Sequence, residues 1–514
     1  MLERLTDEDT IKHACARICE LIDAHGEWLY AQGSRGSVPL RQSECDFRVT
    51  HGRLIFSCWT PQGPVIWRIK GWEWTGQKLL LEASRQMGAE RAQLELIPRA
   101  SALALIEAVS ASRRERCSRM ANLACAALQG ARVERAGLGA GARSGQPGRY
   151  ARILLRHGNR ERIAVAGTIA GAGSREVEAF LSSALIWFSR ICEKGARSPD
   201  IRKLWLVVFK DCAEPLAQML ALLRADLRRV ITLFQIDDDW RELKPVRAPQ
   251  MAELWTQARE RFRHPTQVSL SESAARIVAL APEAIDVVRA RHGETLRYHG
   301  LAFARVRRLM GQESIWFGIQ GSRRRRLLDE STAEEWSKLL CDLQEHRSPA
   351  CADRHHALYR ASPEAWLETM LRRDITQLDP GLRLAPLYAQ FRPMQSGAGS
   401  RPIDLLALRR DGRLVVIELK VSEDREHVLQ GADYWRRTEL HRRQGHIARA
   451  RLFSDALVSD ESPLVYLVAP TLRHHRSFWQ LARAITPQIE IYRFDINEDW
   501  RANVRVMRVC DFNR

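Results

Sequence analysis

The chain has 514 residues, 45% of them hydrophobic, which is several times the length of one core and excludes a disordered chain. Its 80 basic against 62 acidic side chains leave a formal charge of +18, a field that attracts polyanions, makes nucleic acid the expected partner and argues against a calcium protein. No apolar run reaches the roughly 18 residues of a membrane span, and the opening MLERLTDEDT is too acidic for a signal peptide, so the chain is expected in a reducing cytoplasm with no membrane partner.

Residues 1–100 read as a helix, TIKHACARICELIDAHGEWLYAQ, followed by tryptophan-rich strands, HGRLIFSCWTPQGPVIWRIKGWEW, with Pro and Gly turns: a small α/β module. Trp59, Trp67, Trp72 and Trp74 alternate with Arg53, Arg68 and Lys70 and could stack on unpaired bases, but core packing is the favoured reading. The eleven cysteines contain no C-x-x-C pair and are odd in number, so neither a disulfide framework nor a zinc ribbon is indicated. Cys15 and Cys19, near His13, read as core thiols.

Residues 101–260 follow α/β grammar: a helix to about 129, the loop GLGAGARSGQPGR, a strand pair ARILLRHGNRERIAVAG, a helix EVEAFLSSALIWFSRICEK, a strand KLWLVVFK, a further helix and a strand VITLFQI. Gly137, Gly139 and Gly141 precede a strand and open no helix, so they read as a flexible linker and not as a dinucleotide site. Residues 261–355 form a second α/β module and linker, reached through Pro245, Pro249 and Pro265, with strand-like LRYHGLAFARV and SIWFGIQ and the basic run Arg323 to Arg326. Residues 356–514 carry the clearest chemistry.

A weak internal repeat lays the segment from Ser144-Gly145 over that from Ser396-Gly397 with a one-residue gap, and ITLFQIDDDWR over IEIYRFDINEDWR, at offsets of 252 and 260 residues. If the repeat is real, the first copy carries Val165 and Gly167 where the second carries Glu418 and Lys420, and residues 101–260 are a degenerate copy.

In RPIDLLALRRDGRLVVIELKV, from Arg401 to Val421, two apolar runs joined by Arg410-Asp411-Gly412 read as a hairpin. With a three-residue loop closed by Gly412, Arg409 faces Arg413 and Asp404 falls opposite Glu418, while a two-residue loop would pair Asp404 with Leu419. Strand alternation then puts Lys420 on the carboxylate face with Leu406, Leu408, Leu414 and Val416, and Ile403, Leu405, Val415, Ile417, Leu419 and Val421 on the other. Two carboxylates and an ammonium at one end of interior strands cost several kcal/mol of desolvation unless they pair or bind a cation. A divalent metal is favoured over a buried Asp-Lys-Glu salt network. Lysine is also the rarer choice, at nine of the chain's 80 basic residues. A compact ammonium can approach a metal-bound water where a planar guanidinium would not fit.

Pro402-Ile403-Asp404, thirteen residues, then Glu418-Leu419-Lys420 resembles the PD-(D/E)XK nuclease superfamily, in its branch of archaeal-type mismatch and flap endonucleases and RecB-like nuclease domains. Pro363 to Leu371, PEAWLETML, resembles that family's opening helix, which presents a glutamate to the metal; Glu364 and Glu368 share a helical face, so either could be that residue. Gln430-Gly431-Ala432-Asp433-Tyr434 resembles its Q-x-x-x-Y helix. Arginine replaces the usual glycine before the IDLL strand. The resemblance covers about residues 356–510. It implies a restriction-endonuclease-like mixed sheet flanked by helices, preceded by α/β modules, one of them a candidate tandem copy of the same fold. It further implies Asp404, Glu418 and the Leu419 carbonyl as ligands of Mg2+ or Mn2+, Lys420 as the residue that orients water and stabilises the transition state, and Gln430 and Tyr434 as groups beside the site.

The expected activity is therefore Mg2+-dependent endonucleolytic hydrolysis of DNA, in repair or in defence against foreign DNA, with a homodimer compatible. Arg425, Arg436, Arg437, Arg442, Arg443, Arg449 and Arg451, against Glu426, Asp433 and Glu439, read as phosphate contacts. From Arg99 to Arg160 twelve arginines meet three glutamates, enough for the first copy to clamp nucleic acid. Two rivals are a nuclease fold kept as a non-catalytic docking scaffold and a nuclease effector gated by an N-terminal sensor. His355-His356 and His474-His475 read as surface or packing residues.

Overall fold

The computed structural model describes residues 3–512 apart from 33–37, 61–62, 86–87, 89, 100–101, 141–146, 159–160, 170–176, 195–200, 238, 257–269, 291–292, 310–311, 320–325, 386, 392–402 and 454–455. Gly141, Arg143, Ser144-Gly145, Arg160, Pro265, Arg323 to Arg325, Ser396-Gly397 and Arg401-Pro402 lie outside the described residues. The chain is mixed α/β, with twelve α-helices and four sheets among the described residues, and forms two compact units, 1–112 and 113–514. No described helix is long and apolar enough to cross a membrane.

The first unit is one antiparallel sheet and one helix. Its strands are β1 (Glu3–Arg4), β2 (Glu27–Gln32), β3 (Val38–Arg41), β4 (Cys45–Thr50), β5 (Arg53–Thr60), β6 (Gly63–Trp74), β7 (Leu79–Arg85) and β8 (Glu90–Pro98), in the order β3-β2-β8-β7-β6-β5-β4 with β1 on β6. Helix α1 (Glu8–Asp23), capped by Asp7 accepting the Thr10 N–H, lays Ile11, Ala14, Ile18 and Ile22 on the sheet. Trp67 and Trp72 are core residues; only Trp59, 61% exposed, is open to solvent. Cys15 and Cys19 both turn their Sγ to the Phe47 carbonyl.

Helix α2 (Ala102–Ala126) leads into the second unit, where β9 (Ala131–Ala140), β10 (Pro147–His157), β11 (Glu161–Thr168), β12 (Ile201–Phe209), β13 (Ile231–Ile236) and β14 (Leu243–Val246) lie side by side in chain order. Gly137 and Gly139 therefore belong to a strand and not to a linker; with no apolar alternation, ARVERAGLGA shows no strand signal in sequence. Helix α3 (Val177–Lys194) follows β11, and α4 (Lys210–Leu220) and α5 (Ala225–Val230) follow β12.

Next come α6 (Glu272–Leu280), the antiparallel strands β15 (Ile285–Ala290), β16 (Gly293–Tyr298), β17 (Leu301–Leu309), β18 (Gln312–Phe317) and β19 (Arg326–Leu327), and α7 (Ala333–His346). LRYHGLAFARV is not one strand but two, reversing at His299-Gly300. After α8 (Ala357–Arg360), α9 (Pro363–Arg373) docks on this module. Arg347, fully buried, donates to the carbonyls of Tyr298 (2.8 Å), Leu358 (2.6 Å) and Ala361 (2.7 Å) and lies 4.7 Å over the Trp366 ring.

The last sheet contains β20 (Tyr388–Phe391), β21 (Ile403–Leu408), β22 (Leu414–Leu419), β23 (Leu464–Pro470), β24 (Ile491–Ile496) and β25 (Val506–Asp511), again in chain order, with helices α10 (His427–Arg443), α11 (His446–Arg449) and α12 (Phe478–Ala484). Its pairings run antiparallel, antiparallel, parallel, parallel, antiparallel, the same series as β9 to β14. The rung Ala166–Leu206–Leu233 of one sheet matches Glu418–Leu467–Arg493 of the other, since Leu233 and Arg493 are each third in their strand. The repeat is thus structural, and its hairpins align without a gap. Ala166 and Thr168, not Val165 and Gly167, stand where Glu418 and Lys420 do; alternation turns Val165 to the other face, among the residues packed with Met120 and Ala121 of α2.

The copies also meet each other. Helices α3, α10 and α12 share one apolar core, and Leu223 bridges Ile485, with the Arg224 N–H on the Ala484 carbonyl and the Thr486 N–H on the Leu222 carbonyl, both 2.9 Å. Each copy offers the segment after its fourth-strand helix to the same segment of the other, the form of a two-fold interface within one chain.

Candidate active site

The β21–β22 turn sets the register that brings the acidic side chains together. Arg409 N–H bonds the Arg413 carbonyl (2.8 Å), Gly412 N–H bonds the Arg409 carbonyl (3.0 Å), and Gly412 holds φ +87°, so the loop has three residues with glycine in the left-handed region. Pairing then runs from Leu408–Leu414 to Leu405–Ile417, and the next rung is Asp404 and Glu418. There the ladder stops: the Leu419 N–H goes to Asp404 Oδ2 (2.9 Å) in place of a strand carbonyl. Ile403, expected on the Leu405 face, clusters with Leu406 and Leu408, since the ladder to β22 no longer holds it.

On that face Glu418 is 2% exposed, its Oε1 2.7 Å from Lys420 Nζ and its Oε2 buried with no hydrogen-bond partner. Burial, then the neighbouring Asp404 charge, hold the Glu418 carboxyl well above the usual carboxylate range. Burial also works against the Lys420 ammonium, but Glu418, Glu364 and Asp404 outweigh it and keep the lysine protonated. Asp424 adds a carboxylate 3.7 Å from Lys420 Nζ. Acid outnumbers base here, so a further cation would relieve the site.

The two glutamates of α9 separate. Glu364 belongs to the cluster: burial raises its carboxyl, Lys420 opposes that, and Asp404 and Asp424 add to it. Glu368 is 2% exposed and tied to Arg297 (3.1 Å), which also holds Asp286 (2.6 Å). Helix α10 covers the site from the other side because Gly431 permits close approach: a Cβ there would lie 2.6 Å from Leu467 Cδ2. Tyr434 packs with Leu406 and Val416, and burial with the Glu418 and Asp404 charges pushes its phenol far up, so it stays a donor. Gln430 Nε2 lies 3.2 Å from Glu426 Oε2, leaving its Oε1 buried and unpartnered.

His427 was not legible as a site residue. It is fully buried and kept neutral by burial and Lys420, and its Nε2–H donates to the Glu418 carbonyl (3.2 Å). Its ring stacks on His474, a buried side chain 2.9 Å from Asp495. A histidine opening the Q-x-x-x-Y helix is the one signal that could have found it. Five of the seven arginines have partners within the chain: Arg436 and Arg437 pair with buried Asp433, Arg442 and Arg443 with buried Glu439, and Arg449 bonds the Gln444 carbonyl, whereas Arg451 is exposed. These four pairs sit at i+3 and i+4 spacing and hold α10 together. Arg425 is exposed.

The donor set suits a hard cation. Among the described residues no three His, Cys, Asp or Glu side chains gather to hold an ion alone, so a cation would take Asp404, the orphan Glu418 Oε2, solvent and the Leu419 carbonyl, which in a strand projects to the same side as its N–H. Mg2+ keeps several waters and uses one or two carboxylates, so the residues fit it.

No family model matches the chain, and no curated protein matches it. A solved structure described as EndoMS in apo form aligns with 46% of this chain and 97% of its own at 9% identity and a TM-score of 0.16, a likeness too slight to carry an argument.

Proposed function

We propose that the chain is a divalent-metal-dependent endonuclease that hydrolyses phosphodiester bonds of DNA at Asp404, Glu418 and Lys420. The observation that carries the reading is the excess of acid around one base: Asp404, Glu364 and Asp424 surround the Glu418–Lys420 pair, and burial with the Asp404 charge holds the Glu418 carboxyl well above the usual range. A structural salt network would match its acids with as many bases, because an uncompensated buried acid costs stability. The same three residues carry the sequence resemblance to the PD-(D/E)XK nucleases.

Asp404, Glu418 and the Leu419 carbonyl would hold the ion, which when bound would stabilise charge on the scissile phosphate and make water a better nucleophile. Lys420, held protonated by the acids around it, directs its ammonium at the attacking water and at the charge that develops on the phosphate. Glu364 deepens the negative field that draws the cation in. Tyr434 offers an O–H and Gln430 an amide to the backbone of the substrate.

The degenerate copy has none of the three residues, so each chain makes a single cut and a lone chain on duplex DNA leaves a nick. The test is incubation of the full-length protein, and of Asp404→Ala and Lys420→Ala, with single-stranded, duplex and branched DNA and Mg2+ or Mn2+. Cleavage by wild type and loss in both variants are expected. Cleavage unchanged in the variants refutes the site; binding with no cleavage in wild type favours the docking scaffold, for which the stripped first copy is a precedent within the chain.

A further inference from the structure

The matched sheets give each candidate catalytic residue a counterpart. Arg152 pairs with Ala166, so it occupies the Asp404 position, and Thr168 occupies that of Lys420. An acidic cluster has thus become a cationic one on the same face of the same rung.

Arg152 is half-buried. Its Nη2 lies 3.3 Å from Ser183 Oγ and its guanidinium 5.9 Å from the Trp187 ring. Ser183, Trp187 and Arg190 follow at i, i+4 and i+7 along α3, so Arg152 runs up that helix face toward Arg190. Burial, then Arg190 and Arg425, make the Arg152 charge costly. Arg425 comes from the other copy, in the turn between β22 and α10. Among the described residues none of these three arginines has a carboxylate partner; Arg190 and Arg425 both bear on His475, which also has Arg476 and one acid, Glu423, beside it. Thr168 is 2% exposed, and its Oγ1 is buried with no hydrogen-bond partner. It lies diagonally across the ladder from Arg152.

We propose that Arg152, Arg190 and Arg425, with the Thr168 hydroxyl, form a dock for a backbone phosphate of the nucleic acid, so that the degenerate copy grips the strand while the other copy faces the bond to be cut; this rests on the endonuclease reading. Arg152, half-buried on the helix face that leads to Arg190 and without a carboxylate partner, is relieved by an anion, and Arg190 and Arg425 are exposed to receive it. Arg425 is five residues from Lys420, a chain length of at most about 18 Å. That spans about five base pairs along a duplex, so one bound DNA reaches both sites.

The test measures affinity of the full-length protein for a short fluorescent duplex by anisotropy across a salt series in EDTA, where cleavage plays no part. Arg190→Gln and Arg425→Gln are the decisive variants, because both side chains are exposed and the fold does not depend on them; Arg152→Gln and Arg152→Lys are read beside them. Each decisive variant should weaken binding about tenfold at low salt. Their combination, Arg190→Gln with Arg425→Gln, should also flatten the slope of log affinity against log salt by about 0.9, the share of one phosphate. An unchanged slope in that double variant overturns the dock. Asp404→Ala, measured for cleavage in Mg2+, separates the two readings: its full activity removes the nuclease site and leaves the binding result standing.

Discussion

Glu364 and Glu368 lie one turn apart on α9 in unlike surroundings, and replacing each by glutamine tells them apart. Glu368→Gln takes one acid from Arg297, a side chain 9% exposed, but leaves Asp286 at 2.6 Å from the same nitrogen. The loss therefore lies nearer the ~1–3 kcal/mol of an unsatisfied buried hydrogen bond than the ~3–5 kcal/mol of a stranded charge. Cleavage measured well below the melting temperature should survive. Glu364→Gln behaves oppositely. Its carboxyl is raised in the folded state, by burial first, so the stability it contributes is full below its unfolded pKa and is lost as pH rises through the folded one. In mildly alkaline buffer the glutamine variant should equal or exceed wild type in urea midpoint, the gap closing toward acid. Its cleavage should fall about 10- to 100-fold, the scale of an outer group that supports a bound metal. Urea denaturation followed by tryptophan fluorescence, and Mg2+-dependent cleavage of duplex DNA, give both readouts. The reverse pattern, with Glu368→Gln inactive but stable and Glu364→Gln active but weakened, would refute the assignment.

Gly412→Ala should lower stability by about 2 kcal/mol or more, because φ is +87° and the new Cβ would sit 2.7 Å from the Leu457 carbonyl; an unchanged urea midpoint counts against the turn. Mg2+ at a hundred times its dissociation constant should stabilise wild type by about 2.7 kcal/mol. Calorimetry should find that gain absent in Asp404→Asn, and an equal rise in both would remove Asp404 from the cation. Supercoiled plasmid cut by protein that light scattering shows to be monomeric should accumulate as open circles, and linear product formed at the same rate would contradict one cut per chain.

The hairpin was readable because its register follows from a turn: Arg410-Asp411-Gly412 fixes the loop length, and alternation carries that to Asp404, Glu418 and Lys420 without tertiary information. The choice between Glu364 and Glu368 was not, since their spacing puts both on one face. What decides it is Arg297, some seventy residues upstream in chain order and on another sheet. His427 escaped for a related reason, as its hydrogen bond is to a backbone carbonyl and leaves no residue pattern. The arginines of α10 misled because their acids lie three and four residues away on the same helix, which charge counting records and pairing geometry cancels.

The two copies serve as each other's control. Ala164, Ala166, Leu204 and Leu206 build an apolar surface under α3 where the second copy has Val416, Glu418, Val465 and Leu467 under α10. The first sheet therefore folds with an alanine at the very position where the second buries a carboxylate with an unpartnered oxygen. Nothing about this architecture requires that charge, and removing it would recover desolvation free energy. Yet the second copy holds Asp404, Glu418 and Lys420 together, while the first places an arginine where the aspartate would be. Stability accounts for the alanine and for neither group of charges. A function that needs a cation among acids on one side and an anion among arginines on the other accounts for both, and a phosphodiester with a bound metal supplies that pair of charges.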